Sequence, residues 1–118
     1  MKNKVKVIRS HYSEVLIPFQ AKKGDIVIGK EKPTQWEGWL YCKNNNGIYG
    51  WVPKAFVTQI KNSSEEFKFI RAYDAFEISA SEGEFVKILE IESGWALIEN
   101  DIGKIGWIPL ENLDETNP

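Results

Sequence analysis

Two side chains of the 118-residue chain have the chemistry of catalysis near neutral pH, the single histidine His11 and the single cysteine Cys42. A histidine acts as a general base only beside a nucleophile or a carboxylate, and the sequence indicates neither such a partner nor a deep cleft for His11. Cys42 has no second cysteine for a disulfide, and one cysteine with one histidine is too few for a structural zinc site. The carboxylates of the second half lack the spacing of a calcium loop. We therefore expect no enzymatic activity, no metal and no cofactor.

The tryptophans indicate a duplication. Two Gly-Trp pairs, Gly38-Trp39 and Gly50-Trp51, recur 56 residues later as Gly94-Trp95 and Gly106-Trp107. Upstream of these pairs, the matching residues lie 59 and then 62 residues apart, so the second copy is shorter by three residues in each of two segments. Segments that tolerate such shortening are surface loops. The chain is thus predicted to contain two copies of one fold.

Period-two alternation indicates that each copy is built of strands. Val5 and Val7 alternate with lysines, and the segment 39–42 leads through residues 44–47, which end in Asn-Gly, into a second apolar run. That arrangement is a strong hairpin signal. No segment shows a helical apolar stripe. We expect an all-β chain of two small barrels with about five strands each.

The polar segment 58–66 is interpreted as a linker between the copies. Domains are accordingly predicted at residues 1–60 and 61–118. The charge is divided at the same place, since residues 1–61 carry a net charge of +7 and residues 62–118 a net charge of −9. No run approaches the ~18 apolar residues of a membrane span, and the N-terminal residues lack the apolar core of a secretory signal. A cytoplasmic protein without membrane contact is expected.

The order of these motifs resembles a Src-homology-3 (SH3) domain in both copies. In the first copy, a strand enters a long loop that is followed by Lys22-Lys-Gly-Asp25, Gly38-Trp39 and Gly50-Trp-Val-Pro53. The whole chain is similar to the tandem variant SH3 proteins of bacteria, and the resemblance covers residues 4–57 and 67–113. It implies two tandem SH3-like, five-stranded β-barrels joined by a short linker. It also implies a peptide-binding groove between the two loops of variable length.

The resemblance further implies which residues bind the ligand. These candidate ligand-binding residues are His11, Tyr12, Trp36, Trp39, Pro53, Phe56, Tyr73, Trp95 and Pro109. Asn112 stands where the family usually has an aromatic residue, and both loops that flank the groove, called the RT and n-Src loops in this family, are shorter in the second copy. The first domain is therefore expected to be the main binding domain. The expected function is that of a non-enzymatic adaptor that binds proteins or extended peptides, proline-rich ones among them. The protein is expected to be a monomer with contact between its domains.

Alternation along the segment 39–42 makes a more local prediction. If Trp39 faces outward, Tyr41 also faces outward, whereas Leu40 and Cys42 face the core. Cys42 is thus interpreted as a core residue, because free cysteine is usually buried.

Nucleic-acid binding is the alternative function. The basic first half carries lysines on one strand face and in a loop, together with aromatic side chains that could stack on bases. These residues are Lys2, Lys4, Lys6, Lys22, Lys23, Trp36, Trp39 and Tyr41. A third interpretation, binding to a cell wall, requires export, for which the sequence shows no signal.

Overall fold

The described residues form mainly strands, and in several of these strands buried apolar side chains alternate with exposed charged ones. A computed structural model describes residues 4–14 and 17–114. In the first strand, Lys4–Val7, both valines are buried and both lysines are exposed. Twelve strands are formed by the described residues: β1 Lys4–Val7, β2 Gln20–Ala21, β3 Ile26–Lys30, β4 Trp39–Lys43, β5 Tyr49–Pro53, β6 Val57–Gln59, β7 Glu66–Phe69, β8 Tyr73–Asp74, β9 Phe85–Glu92, β10 Trp95–Glu99, β11 Ile105–Pro109 and β12 Leu113–Asp114. The expected all-β class is confirmed.

Helical structure in the described ranges consists of two 3-10 helices, Lys54–Phe56 and Leu110–Asn112. Each lies at the same place in its copy, directly after the proline that ends a strand. With three residues each, neither is long enough to cross a membrane.

The chain forms two compact units, each with one five-stranded antiparallel sheet. Residues 16–75 form one of them, which we call the continuous unit. Residues 1–15 and 76–118 form the other, which we call the composite unit. The strand order is β5-β4-β3-β7-β6 in the continuous unit and β11-β10-β9-β1-β12 in the composite unit. Neither sheet closes on itself, so the prediction of closed barrels is wrong, whereas two repeated β domains are confirmed.

The copies exchange one strand. β1 precedes the first copy in the sequence, yet it pairs with β9 and β12 of the composite unit, where Val5 lies opposite Val86. β7 precedes the second copy, yet it pairs with β3 and β6 of the continuous unit, where Phe67 lies opposite Val27. Both strands carry two apolar residues around a lysine and are followed by Ile-Arg, so either strand has the pattern that this sheet position requires.

The segment 58–66 is a hairpin turn within the continuous unit. β6 and β7 pair directly, and the N–H of Ile60 donates to the carbonyl of Glu66 at 2.8 Å. The hydroxyl of Ser63 accepts hydrogen bonds from the backbone N–H groups of Glu65 and Glu66, and Asn62 takes a left-handed φ of 68°. The polar composition is therefore that of a turn and not of a linker. The compact units consequently differ from the predicted domains 1–60 and 61–118.

The two units have cores of different chemistry. In the continuous unit, the rings of Phe19, Phe69 and Tyr73 pack within 6.3 Å of one another. The core of the composite unit is aliphatic: Val5, Val7, Ile78, Ala80, Val86, Ala96, Ile98, Ile108 and Leu113. The exchanged strands contribute to both cores, because Val5 and Val7 belong to one and Phe69 to the other.

Charge is divided less sharply between the units than between the halves of the sequence. The continuous unit has nine Lys or Arg and six Asp or Glu, a net charge of +3. The composite unit has six Lys or Arg and eleven Asp or Glu, a net charge of −5. The signs predicted for the two domains remain, but the exchanged segments reduce the contrast.

Candidate functional site

The first Gly-Trp pair of each copy lies at the start of the second strand of its sheet, since Trp39 begins β4, between β5 and β3, and Trp95 begins β10, between β11 and β9. Gly38 has a φ of 93° and Gly94 a φ of 87°, in the left-handed region where a side chain is disfavoured. The tryptophans that follow lie opposite the strand-ending prolines, Trp39 opposite Pro53 and Trp95 opposite Pro109. The glycine thus sets the direction in which each tryptophan enters the sheet.

The second Gly-Trp pair needs its glycine for space. A Cβ on Gly50 would lie 2.6 Å from Cβ of Phe19, and a Cβ on Gly106 would lie 2.8 Å from Cβ of Ile78. Real Cβ atoms do not approach so closely, so the backbone of β5 or β11 would have to move. The glycine in each pair lets a core side chain pack directly against the strand.

In the composite unit, His11 and Trp95 form an aromatic corner. Their ring centroids lie 5.9 Å apart with an interplanar angle of 86°. Nε2 of His11 lies 3.1 Å from Oε1 of Glu77, so the imidazole donates a hydrogen bond to the carboxylate. The side chains of His11 and Glu77 are 19% and 29% exposed, and Trp95 is half-buried. We call these three residues the His11–Trp95 surface.

Backbone pairing and a buried amide hold His11 in this position. His11 forms a reciprocal bridge with Ala80, whose hydrogen bonds are 2.8 and 2.9 Å long. The side-chain amide of Asn112 donates to the carbonyls of Arg9 and Ser10 at 2.9 and 3.2 Å. Asn112 is only 5% exposed. It is therefore a positioning residue for the segment that carries His11.

Two further candidate residues lie in the composite unit. Tyr12 is 66% exposed, and its phenol lies 3.3 Å from the hydroxyl of Ser81. Hydrogen bonds with Ser81 and Ser10 lower the pKa of Tyr12. Pro109 is buried and lies opposite Trp95 on the neighbouring strand. The composite unit thus brings His11, Tyr12, Trp95 and Pro109 together.

The continuous unit contains the other five candidates, most of them buried. Trp39 is 8% exposed, Phe56 2% and Tyr73 7%, and Pro53 is buried as well. The rings of Phe56 and Tyr73 meet at 5.4 Å, and the phenol of Tyr73 donates to the carbonyl of Trp51 at 3.0 Å. Trp36 is half-buried in the segment before β4. These rings therefore contribute mainly to packing.

The division of the candidates differs from the sequence-based assignment in one respect. The predicted domain 1–60 contains His11 and Tyr12, but in the structure they lie in the unit of Trp95. The predicted domain 61–118 contains Tyr73, but it lies in the unit of Trp39 and Phe56. The reason is that these residues follow β1 and β7, the exchanged strands. The expectation for β4 is confirmed at Leu40 and Cys42, which are buried, and at the half-exposed Tyr41, but not at Trp39.

A second aromatic surface lies on the β4–β5 hairpin of the continuous unit. Tyr41 is opposite Trp51 in the register, with ring centroids 5.0 Å apart, and it stacks on Tyr49 at 5.6 Å with an interplanar angle of 19°. Nζ of Lys32 lies 4.2 Å from the Tyr41 centroid, and Nζ of Lys43 lies 5.6 Å from the Tyr49 centroid. We call these five residues the aromatic ladder. They form cation–π contacts at a surface where Tyr49 is 56% exposed.

The ladder could have been found from the sequence by counting outward from the turn. The predicted turn at residues 44–47 is confirmed, with the side chain of Asn44 accepting from the N–H groups of Asn46 and Ile48 at 2.9 Å. Once the turn is known, Tyr49 must pair with Lys43 and Trp51 with Tyr41. Glu77 and Asn112 had no such local signal, because their roles depend on the exchanged segment.

Cys42 has no nucleophilic environment. It is 1% exposed, and loss of hydration raises the pKa of its thiol to about 12. The interpretation of Cys42 as a core residue is confirmed. Within residues 4–14 and 17–114, no three His, Cys, Asp or Glu side chains are grouped as metal ligands.

The lysines that the sequence suggests for nucleic-acid binding are divided between the two units. Lys4 and Lys6 are exposed on β1 of the composite unit, whereas Lys22 and Lys23 belong to the continuous unit. Lys2 lies outside the described residues. Among the proposed stacking residues, Tyr41 belongs to the aromatic ladder.

Comparison with known families corrects the resemblance to SH3 domains. Residues 18–58 and 73–114 each match the family model of the GW (Gly-Tryp) dipeptide domain, which is a different family. No solved structure matches the chain. Both matches begin after an exchanged strand and include both Gly-Trp pairs of their copy. Because the matches cover more than half of its residues, the chain belongs to the GW (Gly-Tryp) dipeptide domain family.

Proposed function

We propose that the chain is a non-enzymatic binding protein that holds extended peptide segments on the His11–Trp95 surface. The observation that carries this proposal is the edge-to-face contact of two partly exposed rings at 5.9 Å, beside a partly exposed carboxylate. Two rings at a right angle form a step in the surface. A ring of a proline, or another compact apolar side chain, fits such a step with little loss of conformational entropy.

Charge favours a basic residue in the ligand. Glu77 lies at the surface itself, and the composite unit has a net charge of −5. A Lys or Arg in the peptide, next to the residue that contacts Trp95, would be attracted by this field. The ligand that the surface supports best is thus an extended, proline-containing segment with a flanking basic residue.

The probe is a twelve-residue synthetic peptide of alternating proline and leucine that ends in two arginines. We expect the full chain to bind it weakly, with a Kd roughly in the micromolar range, because the surface is small. Trp95→Ala should weaken binding at least about tenfold, in line with the loss of a central aromatic contact. Trp36→Ala, in the other unit, is the matched tryptophan control. Amide spectra of both variants verify that the fold is retained.

Charge is tested with Glu77→Gln, which keeps the shape of the side chain. The variant should weaken binding of the arginine peptide several-fold and leave unchanged the binding of a version that ends in two glutamines. Equal binding by wild type and Trp95→Ala would refute the proposed site. Loss of binding in Trp36→Ala alone would place the peptide in the continuous unit.

A further inference from the structure

We propose that the aromatic ladder of the continuous unit is a binding site for single-stranded nucleic acid. Bases would stack on its rings, while its two lysines face the phosphates. The site shares no residue with the His11–Trp95 surface, so the two proposals stand or fall separately.

The first observation is the continuity of the rings. Tyr41 lies between the other two rings, with its centroid 5.0 Å from that of Trp51 and 5.6 Å from that of Tyr49 across two paired strands. Tyr49 is 56% exposed, and Tyr41 and Trp51 are half-buried. Rings fixed by a sheet are ordered before a ligand arrives, so stacking on them costs little further conformational entropy.

The second observation is the state of the lysines. Lys32 and Lys43 lie over the rings of Tyr41 and Tyr49, with Nζ 4.2 and 5.6 Å from the ring centroids. In the part of the chain that the structure describes, neither lysine forms an ion pair with a carboxylate. Their charges are therefore available to an anion, and Lys30 lies opposite Tyr41 on the neighbouring strand.

The third observation comes from the second copy, which acts as an internal control. At the positions of Tyr41, Lys43 and Tyr49, the β10–β11 hairpin has Leu97, Glu99 and Ile105. The counterpart of Trp51 is Trp107, which is 5% exposed. The same hairpin thus folds without the two tyrosines and the lysine at these positions, so folding alone does not explain why the first copy has Tyr41, Lys43 and Tyr49.

Together these features match the chemistry of a single-stranded nucleic acid. Its bases have flat faces that stack on aromatic side chains, and its backbone carries regularly spaced negative charge. An acidic polypeptide would satisfy the lysines but offers few flat groups to the rings. The net charge of +3 on the continuous unit also favours a polyanion.

Binding is tested with the full chain and a fluorescent twelve-nucleotide oligothymidylate, by anisotropy at about 50 mM salt. Two comparators separate the sources of affinity: a twelve-unit phosphodiester without bases, and a peptide of twelve glutamates. We expect the oligothymidylate to bind at least about fivefold more tightly than either, which corresponds to the lower end of measured stacking energies. Equal binding of the base-free strand or of the glutamate peptide would overturn the proposal and leave a general site for anions.

Variants place the ligand on the ladder. Tyr49→Ala should weaken oligothymidylate binding at least about fivefold, and Tyr49→Phe should restore it, because stacking needs only the ring. Ile105→Ala changes the equivalent position of the other hairpin and should have no effect. Unchanged affinity in Tyr49→Ala would refute the site.

Salt dependence tests the lysines. Lys43→Gln should reduce the slope of log K against log salt by about 0.7, the change expected for the loss of one phosphate contact in a single strand. Lys87→Gln removes an exposed lysine of the composite unit and should leave the slope unchanged. Equal slopes for wild type and Lys43→Gln would show that this lysine faces no phosphate.

Discussion

At the scale of single residues, Asn112 and Phe56 show how one position of the repeat has diverged. Phe56 contacts the ring of Tyr73, and the guanidinium carbon of Arg71 lies 3.9 Å from its centroid. Asn112 instead uses its amide to hold two backbone carbonyls before His11. Phe56 thus completes an aromatic cluster. Asn112 instead holds the segment in which the imidazole of His11 lies beside Trp95 at a partly exposed surface.

The burial of individual side chains could be predicted from the sequence where local alternation decides it. Leu40 and Cys42 are buried as alternation requires. The expectation that the second copy is the weaker binding domain rests on the lost ring at Asn112 and on a shortened loop. The hydrogen bonds of Asn112 reach a segment about a hundred residues earlier, and no local pattern shows such a contact.

Cys42 gives a prediction that depends on pH. Burial raises the pKa of its thiol from 9.0 to about 12, so the folded chain keeps its proton where the unfolded chain loses it. Below pH 9 both states are protonated and nothing is lost. Between pH 9 and 12 the free energy of unfolding should fall, by about 1 kcal/mol at pH 10.

The measurement is urea unfolding of the wild type and of Cys42→Val at pH 8 and pH 10. Between pH 8 and pH 10 the free energy of unfolding should fall more for the wild type than for the variant. Other groups that titrate in this range are present in both proteins, so their contribution cancels in the comparison. In the native state, the thiol should also resist alkylation at pH 8, because little thiolate is present. Equal pH profiles, or rapid alkylation of the native chain, would show that Cys42 is accessible to water.

At the scale of elements, the hairpins were predictable and the strand partners were not. The Asn46-Gly47 turn and the alternation around it specify the pairing of β4 with β5, since both strands are adjacent in sequence. β1 and β7 have the same apolar pattern, so the sequence indicates the kind of sheet position but not the copy that accepts each strand. The polar segment between β6 and β7 looks like a linker because turns and linkers share their composition.

Gly50 on β5 packs closely against Phe19, and this contact predicts the effect of replacing the glycine. Gly50→Ala should lower the free energy of unfolding by about 1–3 kcal/mol, because the new Cβ would lie 2.6 Å from Cβ of Phe19. Tyr49→Ala, at the exposed neighbouring residue, should cost less than about 1 kcal/mol. Denaturant unfolding measures both. If Gly50→Ala is as stable as Tyr49→Ala, the glycine is not needed for packing.

At the scale of the whole molecule, the duplication has produced two units with different surfaces. The composite unit is acidic, has an aliphatic core and carries the His11–Trp95 surface. The continuous unit is basic, has an aromatic core and carries the aromatic ladder on its surface. Strand exchange matters for this division, because β1 brings His11 into the unit of Trp95.

The His11–Trp95 surface depends on the exchange of β1 and β7 between the copies. Cutting the chain in the β6–β7 turn tests this exchange most directly. A protease site is inserted between Asn62 and Ser63, and the cut protein is analysed by size-exclusion chromatography. Each unit contains strands from both sides of this cut, so we expect the two fragments to elute together in native buffer and to separate in urea. Two fragments that separate in native buffer, each with the dispersed amide spectrum of a folded domain, would contradict the exchange and restore the boundary between residues 60 and 61.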